Sequence, residues 1–132
     1  TLISGSPYAT DLLYDASLRD MSSQHQNFRY LTATSREVQS DTSRKMYVTD
    51  RLASNFDDVS PVLCSERGLV YMCGIKGMEL GIYKELAKRL PTEWLDRYLH
   101  IDPQASIDID DWDHAFVRNH VRPTKKVFLE VY

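Results

Sequence analysis

The chain has 132 residues, the length of one domain, and its 42% hydrophobic and 27% charged residues are typical of a globular protein. The formal charge of −3 lacks the basic surplus of most nucleic-acid-binding domains, and no apolar run reaches the roughly 20 residues that a membrane helix needs. The two cysteines, Cys64 and Cys73, are too few for a disulfide scaffold, so we expect a soluble protein of a reducing compartment. The first residues show neither an initiator Met nor a signal sequence, and they predict the middle of a longer chain.

The first third of the chain predicts two strands, each followed by a helix or loop. Leu2–Gly5 is a short apolar run that predicts a strand ending in a turn at Ser6-Pro7. Thr10 is then a candidate N-cap for a helix, on which four apolar side chains would share one face: Leu12, Leu13, Ala16 and Met21. Phe28–Ala33 predicts the second strand, and a polar loop follows over residues 34–44.

The rest of the chain continues the alternation. Apolar residues spaced by four, four and three predict a helix from Met46 onward, with Val48, Leu52, Phe56 and Val59 on its apolar face. Gly68–Cys73 predicts a central strand buried on both faces. A glycine-rich turn then leads to a helix that Pro91 stops, with Met78, Ile82, Leu86 and Leu90 on one stripe. A short helix around residues 111–120 and a strand over Val127–Val131 are expected near the end.

Strands that alternate with helices predict an α/β fold, namely a doubly wound parallel sheet with helices on both faces. Dinucleotide-binding sheets of this kind commonly begin with a strand and a Gly-x-Gly-x-x-Gly turn, and no such motif is found in this chain. We therefore expect either a different mode of phosphate binding or a first βα unit that is missing because it lies before Thr1.

The loop after the second strand contains the first candidate site. Ser35, Arg36 and Lys45 offer a hydroxyl, a guanidinium and an ammonium where NAD-selective proteins place an acid, and Tyr47 could stack on adenine. Such donors suit a doubly charged 2′-phosphate. Solvated loop residues are the alternative, and the pattern alone leaves both open.

The turn Cys73-Gly74-Ile75-Lys76-Gly77-Met78 is the second candidate site, because its glycines allow a ligand to approach the backbone. Cys73 could be a nucleophile, a contact to a flat ring or filler, and the contact is favoured because no motif links a histidine to it. Cys64 is interpreted as structural. The final strand ends on Tyr132, with Glu130 on the same face.

The acidic stretch over residues 108–113 lacks the glycine and terminal glutamate of a calcium loop, so we assign it no metal. It predicts a solvated helix start instead, with Asp110 or Asp111 as the cap.

Taken in order, these segments resemble the C-terminal NADP(H)-binding domain of plant-type ferredoxin–NADP⁺ reductases. The resemblance covers most of the chain and is carried by six segments: Gly5-Ser6-Pro7 with Leu12-Leu13-Tyr14, Asn27-Phe28-Arg29, Ser35-Arg36-Glu37, Lys45-Met46-Tyr47, Val70 to Met78 and Glu130-Val131-Tyr132. Residues 1–132 would then form this one domain, and an FAD-binding β-barrel is expected upstream of it. The resemblance favours the functional interpretation of the Ser35 loop.

The resemblance implies two groups of site residues. Ser35, Arg36, Lys45 and Tyr47 match the 2′-phospho-AMP site, where Thr49 replaces the usual Gln. Cys73 and Glu130 match residues around the nicotinamide and the flavin edge, and Tyr132 matches the aromatic residue that stacks on the flavin. Three of these are expected at the catalytic centre (Cys73, Glu130 and Tyr132), and the cofactor-binding set also takes in Gly5, Gly74, Lys76 and Met78.

The resemblance further implies NADP(H) and FAD as cofactors, hydride transfer between them, and ferredoxin, an acidic iron–sulfur protein, as the partner. Lys125 and Lys126 are candidates for docking it. A plastid stroma, of chloroplast or apicoplast type, is the expected location. Residues 91–126 diverge from the family, and their segment Asp102–Asp113 is interpreted as a surface elaboration or a partner contact. Two alternatives remain open: a non-catalytic nucleotide-binding or structural module, and a diaphorase or flavohaem-type reductase with another acceptor.

Overall fold

A computed structural model describes residues 1–41 and 43–132; Thr42, which falls in the predicted polar loop, lies outside the described residues. The strands are β1 Leu2–Ser6, β2 Tyr30–Thr34, β3 Val70–Gly74, β4 Leu99–Ile101, β5 Val121–Pro123 and β6 Val127–Val131. The helices are α1 Asp15–Gln24, α2 Val48–Ser54, α3 Phe56–Leu63, α4 Met78–Arg89, α5 Thr92–Leu95 and α6 His114–His120, with short 3-10 helices at Ala9–Asp11 and Ile109–Asp111.

The chain divides into two compact units, Thr1–Asn55 and Phe56–Tyr132. In the first, β1 and β2 pair in parallel with Gly5 opposite Ala33. In the second, β3 and β6 pair in parallel with Cys73 opposite Glu130. The predicted parallel α/β architecture is therefore confirmed. The antiparallel pair β4–β5 in the second unit was not predicted.

The first unit forms its core where α2 packs on β1 and β2. Its buried apolar side chains are Leu12, Tyr30, Ala33, Met46 and Leu52. The predicted helix at Thr10 is wrong in its start and its face: α1 begins at Asp15, after Tyr14 adopts a left-handed backbone with φ 58°. Leu12 is buried ahead of the helix, whereas Leu13 and Met21 are exposed.

The predicted helix from Met46 is two helices, because α2 ends at Ser54 and α3 begins at Phe56. Asn55 separates them with a non-helical backbone at φ −117° and ψ 21°. The predictions for α4 and β6 are confirmed: α4 buries Ile82 and Leu86 and ends before Pro91.

β3 is not buried on both faces, contrary to the prediction from its apolar run. Met72 is buried, but Tyr71 on the opposite face is 72% exposed and stacks on Phe128, its register partner in β6, with ring centroids 4.4 Å apart. Stacking across neighbouring strands shelters part of both rings without a covering helix. A continuous apolar run in the sequence therefore does not distinguish a strand buried on both faces from a strand with an exposed aromatic pair.

Residues 91–126 contribute buried side chains to the core of the second unit, and the role of their segment Asp102–Asp113 stays a prediction. Tyr98 and Leu99 are fully buried, and the Tyr98 hydroxyl donates to the Leu63 carbonyl at 2.7 Å. Trp112, within the acidic segment, is also buried. The acidic composition of this segment gave no indication that Trp112 would be buried. Among the described residues, no helix is both long and apolar enough to cross a membrane.

The buried Tyr83 predicts a loss of stability at alkaline pH. Burial, assisted by the charge of Glu79, raises the pKa of Tyr83 to about 12, and its hydroxyl has no hydrogen-bond partner among the described residues. Because the folded pKa lies above the unfolded value near 10, the stabilisation is fully present below pH 10 and is lost as the pH rises towards 12. The loss by pH 11 is about 1 kcal/mol.

The matched variant is Tyr83→Phe, which keeps the ring and removes the ionisable group. We expect the difference in unfolding free energy between variant and wild type to grow by about 1 kcal/mol in favour of the variant between pH 9 and pH 11. Urea unfolding at each pH measures it. If the unfolding free energies of the two proteins change in parallel with pH, the raised pKa of Tyr83 is contradicted.

Candidate functional site

The first candidate site lies where β1 and β2 end side by side. Beyond β2, the amide of Ser35 donates to the Ser6 carbonyl at 3.0 Å, and the amide of Arg36 donates to the Pro7 carbonyl at 2.9 Å. The turn after β1 thus fixes the backbone of two predicted phosphate ligands. Ligands of parallel α/β sheets commonly bind at this carboxyl edge.

The polar loop returns to the same place. The Met46 amide donates to the Thr34 carbonyl at 2.9 Å, so the residues that flank Met46 lie next to the residues that follow Thr34. The structure therefore brings Ser35 and Arg36 on one side of the loop beside Lys45 and Tyr47 on the other.

The side chains at this edge are available to a ligand. Arg36, Lys45 and Tyr47 are exposed, and Ser35 is half-buried. Two cationic groups and a hydroxyl around one loop base create a local positive potential that favours a phosphate. The backbone pairing brings these residues to one edge, and their role as ligands stays a prediction.

Thr49 and Gly5 flank this group. Thr49 is half-buried in the first turn of α2, where the Asp50 carboxylate accepts the Tyr47 amide at 2.8 Å. A Cβ atom at Gly5 would lie 2.5 Å from Cγ2 of Val48. Gly5 is therefore required for the close packing of α2 on β1, which is a structural reason for a glycine that we had predicted to contact the cofactor.

The second candidate site lies where β3 and β6 end side by side. Cys73 is opposite Glu130 in register, and both side chains are exposed. The Tyr132 amide donates to the Gly74 carbonyl at 3.1 Å, and the Tyr132 carbonyl accepts from the Lys76 amide at 3.0 Å. Two main-chain hydrogen bonds thus tie the last residue to the turn, and the Tyr132 side chain stays 84% exposed.

The turn between β3 and α4 depends on its glycines. Gly77 has a left-handed φ of 102°, which favours glycine over residues with a side chain. A Cβ atom there would lie 2.9 Å from Cε1 of His114, and one at Gly74 would lie 3.2 Å from Cε of Met78. Met78 therefore packs directly beside Gly74.

Two residues at these sites were not predicted. Arg51 is buried in the first unit and bonds to the polar loop, and His114 covers Gly77 in the second unit. A charge at position 51, between the apolar residues Val48 and Leu52 on one helical face, is a signal that could have identified Arg51. His114 carries no such signal, because only the tertiary fold brings it to the turn.

The acidic stretch behaves differently from its prediction. Asp108 caps the 3-10 helix and Asp113 caps α6, by accepting the Asp110 and Phe116 amides at 2.9 and 2.7 Å. Asp110 instead pairs with Lys88 of α4, which lowers the pKa of Asp110, so the prediction of Asp110 or Asp111 as the cap is wrong. Within residues 1–41 and 43–132, no three His, Cys, Asp or Glu side chains are grouped to hold a metal ion.

Comparison with known proteins identifies relatives. The family model of the oxidoreductase NAD-binding domain matches residues 1–84. The chain is 34% identical to the ferredoxin–NADP reductase of Spirulina sp over 72% of the chain and 34% of that protein. It is 35% identical to the chloroplastic leaf isozyme 1 of Arabidopsis thaliana over 72% of the chain and 28% of that protein.

A third relative is the ferredoxin–NADP reductase of Thermosynechococcus vestitus, at 37% identity over 61% of the chain and 21% of that protein. The chain thus spans about a third or less of the length of these relatives. The family match covers more than half of the chain, from β1 through β3 and into α4, and therefore includes the ends of β1, β2 and β3 but not that of β6. This protein chain belongs to the oxidoreductase NAD-binding domain family.

Proposed function

We propose that the chain is the NADP(H)-binding domain of a ferredoxin–NADP⁺ reductase. The observation that carries the proposal is the attachment of the terminal Tyr132 to the turn after β3, beside the Cys73–Glu130 pair. An exposed aromatic ring held at a strand-end edge is suited to stack on a flat ring. Relatives at 34 to 36% identity bear the name ferredoxin–NADP reductase.

The first unit supports the choice of coenzyme. Ser35, Arg36 and Lys45 donate to the 2′-phosphate of NADP(H), and Tyr47 stacks on its adenine ring. NAD-selective sites use an acid to hold the ribose 2′-hydroxyl, which NADP(H) does not have. The cationic groups here would form charge-assisted hydrogen bonds with the 2′-phosphate, which NAD(H) lacks. Thr49 has a shorter side chain than the usual Gln and contacts the adenine side of the coenzyme less closely.

The second unit contains the residues that we assign to the nicotinamide end of the coenzyme. Cys73 contacts the nicotinamide ring, Glu130 lies at its edge, and the turn Gly74–Met78, with Lys76, lets the coenzyme approach the backbone. FAD, when bound, supplies the hydride that is exchanged with the nicotinamide. The Tyr132 ring would stack on the flavin and would move aside when the nicotinamide binds. Because two hydrogen bonds fix the Tyr132 main chain, its displacement is a rotation of the ring.

The remote phosphate contributes to this exchange. Binding energy from a group that does not react can offset the cost of rearrangement at the group that does. The grip on the 2′-phosphate therefore helps to displace the Tyr132 ring. An FAD-binding domain completes the active site, and ferredoxin is the electron-transfer partner.

A plastid stroma is the location that the chloroplastic relatives favour. Of the two lysines considered for ferredoxin docking, Lys126 donates to the carbonyls of Glu66 and Gly68 at 2.6 and 3.2 Å, so its ammonium is engaged within the second unit. Lys125 is exposed and remains the better candidate.

The phosphate assignment predicts a selective effect of Arg36→Ala. Loss of a hydrogen bond to a charged group is worth about 1.5 to 3 kcal/mol, so we expect NADP⁺ affinity to fall about 10- to 100-fold and NAD⁺ affinity to change less than about twofold. Titration calorimetry with both coenzymes measures this. Arg67→Ala, at an exposed arginine in the second unit, is the matched control and should change neither affinity. Equal weakening of both coenzymes would contradict the assignment.

The gating role predicts that Tyr132→Ser increases NADP⁺ affinity in the FAD-loaded enzyme, whereas Arg36→Ala should decrease it. Without a ring to displace, NADP⁺ should bind about tenfold more tightly, and discrimination against NAD⁺ should relax. Difference spectroscopy of the flavin during coenzyme titration measures both. Tyr132→Phe keeps the ring and should behave as wild type. Weaker NADP⁺ binding by the serine variant would show that Tyr132 is not a gate.

A further inference from the structure

Arg51 is a buried cation that the proposed coenzyme contacts leave unexplained. It is 4% exposed. Its Nε donates to the Thr32 carbonyl at 2.7 Å, and its Nη2 donates to the Gln39 side-chain oxygen at 2.9 Å. Its two terminal nitrogens also form a fork onto the Asp41 carboxylate, at 2.8 and 3.2 Å. The guanidinium thus links strand β2 to the polar loop through two loop side chains.

Fold stability alone is a weak reason for this arrangement. Removing a guanidinium from water is costly, and an apolar residue of similar volume often fills such a position without loss of stability. What a guanidinium adds is directional: its planar fork fixes the orientation of the groups that it bonds. The contact therefore selects one conformation of the loop.

The loop needs such a contact because it has little apolar support. Val38, Ser40 and Asp41 are exposed, and the loop residues from Glu37 to Asp41 border a cleft of about 380 Å³ on the first unit. Polar contacts hold this segment instead. The Glu37 carboxylate accepts the Ala9 amide at 2.5 Å, and the Gln39 side-chain nitrogen donates to the Thr32 hydroxyl at 3.1 Å.

The same loop connects the two halves of the phosphate site. The Gln39 amide donates to the Arg44 carbonyl at 3.1 Å, and the Ser43 amide donates to the Gln39 carbonyl at 2.7 Å. Arg44 directly precedes Lys45. The main-chain bonds of Gln39 therefore help to set where the chain returns just before Lys45.

We propose that Arg51 is a positioning residue for the 2′-phosphate, acting through Gln39 and Asp41 without contacting the coenzyme. It holds the loop in the conformation that places Arg36 and Lys45 together before the ligand arrives. Preorganisation of this kind increases affinity because less ordering is left to occur on binding. The proposal rests on the proposed function of the first unit.

Asp41→Asn tests the proposal, because the positioning role and simple electrostatics predict opposite changes in phosphate affinity. The Asp41 side chain is 60% exposed, so an isosteric amide there leaves the core intact. Removing a negative charge near a phosphate would by Coulomb's law tighten phosphate binding. If Asp41 acts as the partner of Arg51, the broken fork releases the loop and binding weakens. The two explanations therefore predict opposite outcomes.

The probes are 2′,5′-ADP and 5′-AMP, titrated by calorimetry into the FAD-loaded enzyme. We expect Asp41→Asn to weaken 2′,5′-ADP about tenfold and 5′-AMP less than about twofold. Asp41→Glu, which keeps the carboxylate, should restore part of the affinity. Asp20→Asn is the matched control: Asp20 bonds to Gln24 on its own helix, and the same loss of charge there should not weaken 2′,5′-ADP. Unchanged or tighter binding of 2′,5′-ADP by Asp41→Asn overturns the inference.

Arg36→Ala, measured with the same two probes, separates this inference from the proposed function. If Arg36→Ala weakens 2′,5′-ADP selectively and Asp41→Asn does not, only the positioning role fails. If Arg36→Ala does not discriminate between the probes, the phosphate site itself fails.

Hydrogen exchange gives a readout that does not depend on ligand. In Asp41→Asn, the amides of Gln39 and Ser43 should exchange at least several-fold faster, and the paired amides of β2 should exchange as in wild type. Unchanged protection at Gln39 and Ser43 would also overturn the inference.

Discussion

Parallel pairing of neighbouring strands is the constraint on which both candidate sites depend. Two parallel strands end at the same edge, so the residues that follow them come together even when they are far apart in the chain. In the first unit this edge brings the turn after β1 to the backbone of Ser35 and Arg36. In the second it brings Tyr132 to the turn after β3. Each unit uses the same geometry for different chemistry.

The two edges differ in what holds them. At the first, a long polar loop is positioned by directional hydrogen bonds, and a buried guanidinium provides three of them. At the second, glycine geometry and main-chain bonds fix a short turn, and His114 packs over Gly77. The loop, for which we propose phosphate binding, gains from polar contacts because it has little apolar area to bury. The turn, for which we propose contact with a flat ring, gains from the absence of side chains.

The end of β6 combines a fixed main chain with a free side chain. The Tyr132 backbone is bonded on both sides to the turn, whereas its ring faces solvent. Such a residue can change its ring orientation without disturbing the sheet, since no backbone hydrogen bond must break. That separation is compatible with the gating role that we propose for Tyr132.

The local sequence was sufficient to predict the alternation of strands and helices, the strand β6 and the helix α4, because periodicity and the composition of turns are local properties. It did not determine the separation of α2 from α3 at Asn55, the exposure of Tyr71, or the core position of Trp112 and Tyr98 in the segment 91–126. These features depend on which surfaces meet in the folded chain. An apolar run or an acidic stretch has the same sequence whether it is buried or exposed. The burial of Arg51 against the polar loop is visible only in the folded chain, because its partners Thr32, Gln39 and Asp41 lie 10 to 19 positions away in the sequence.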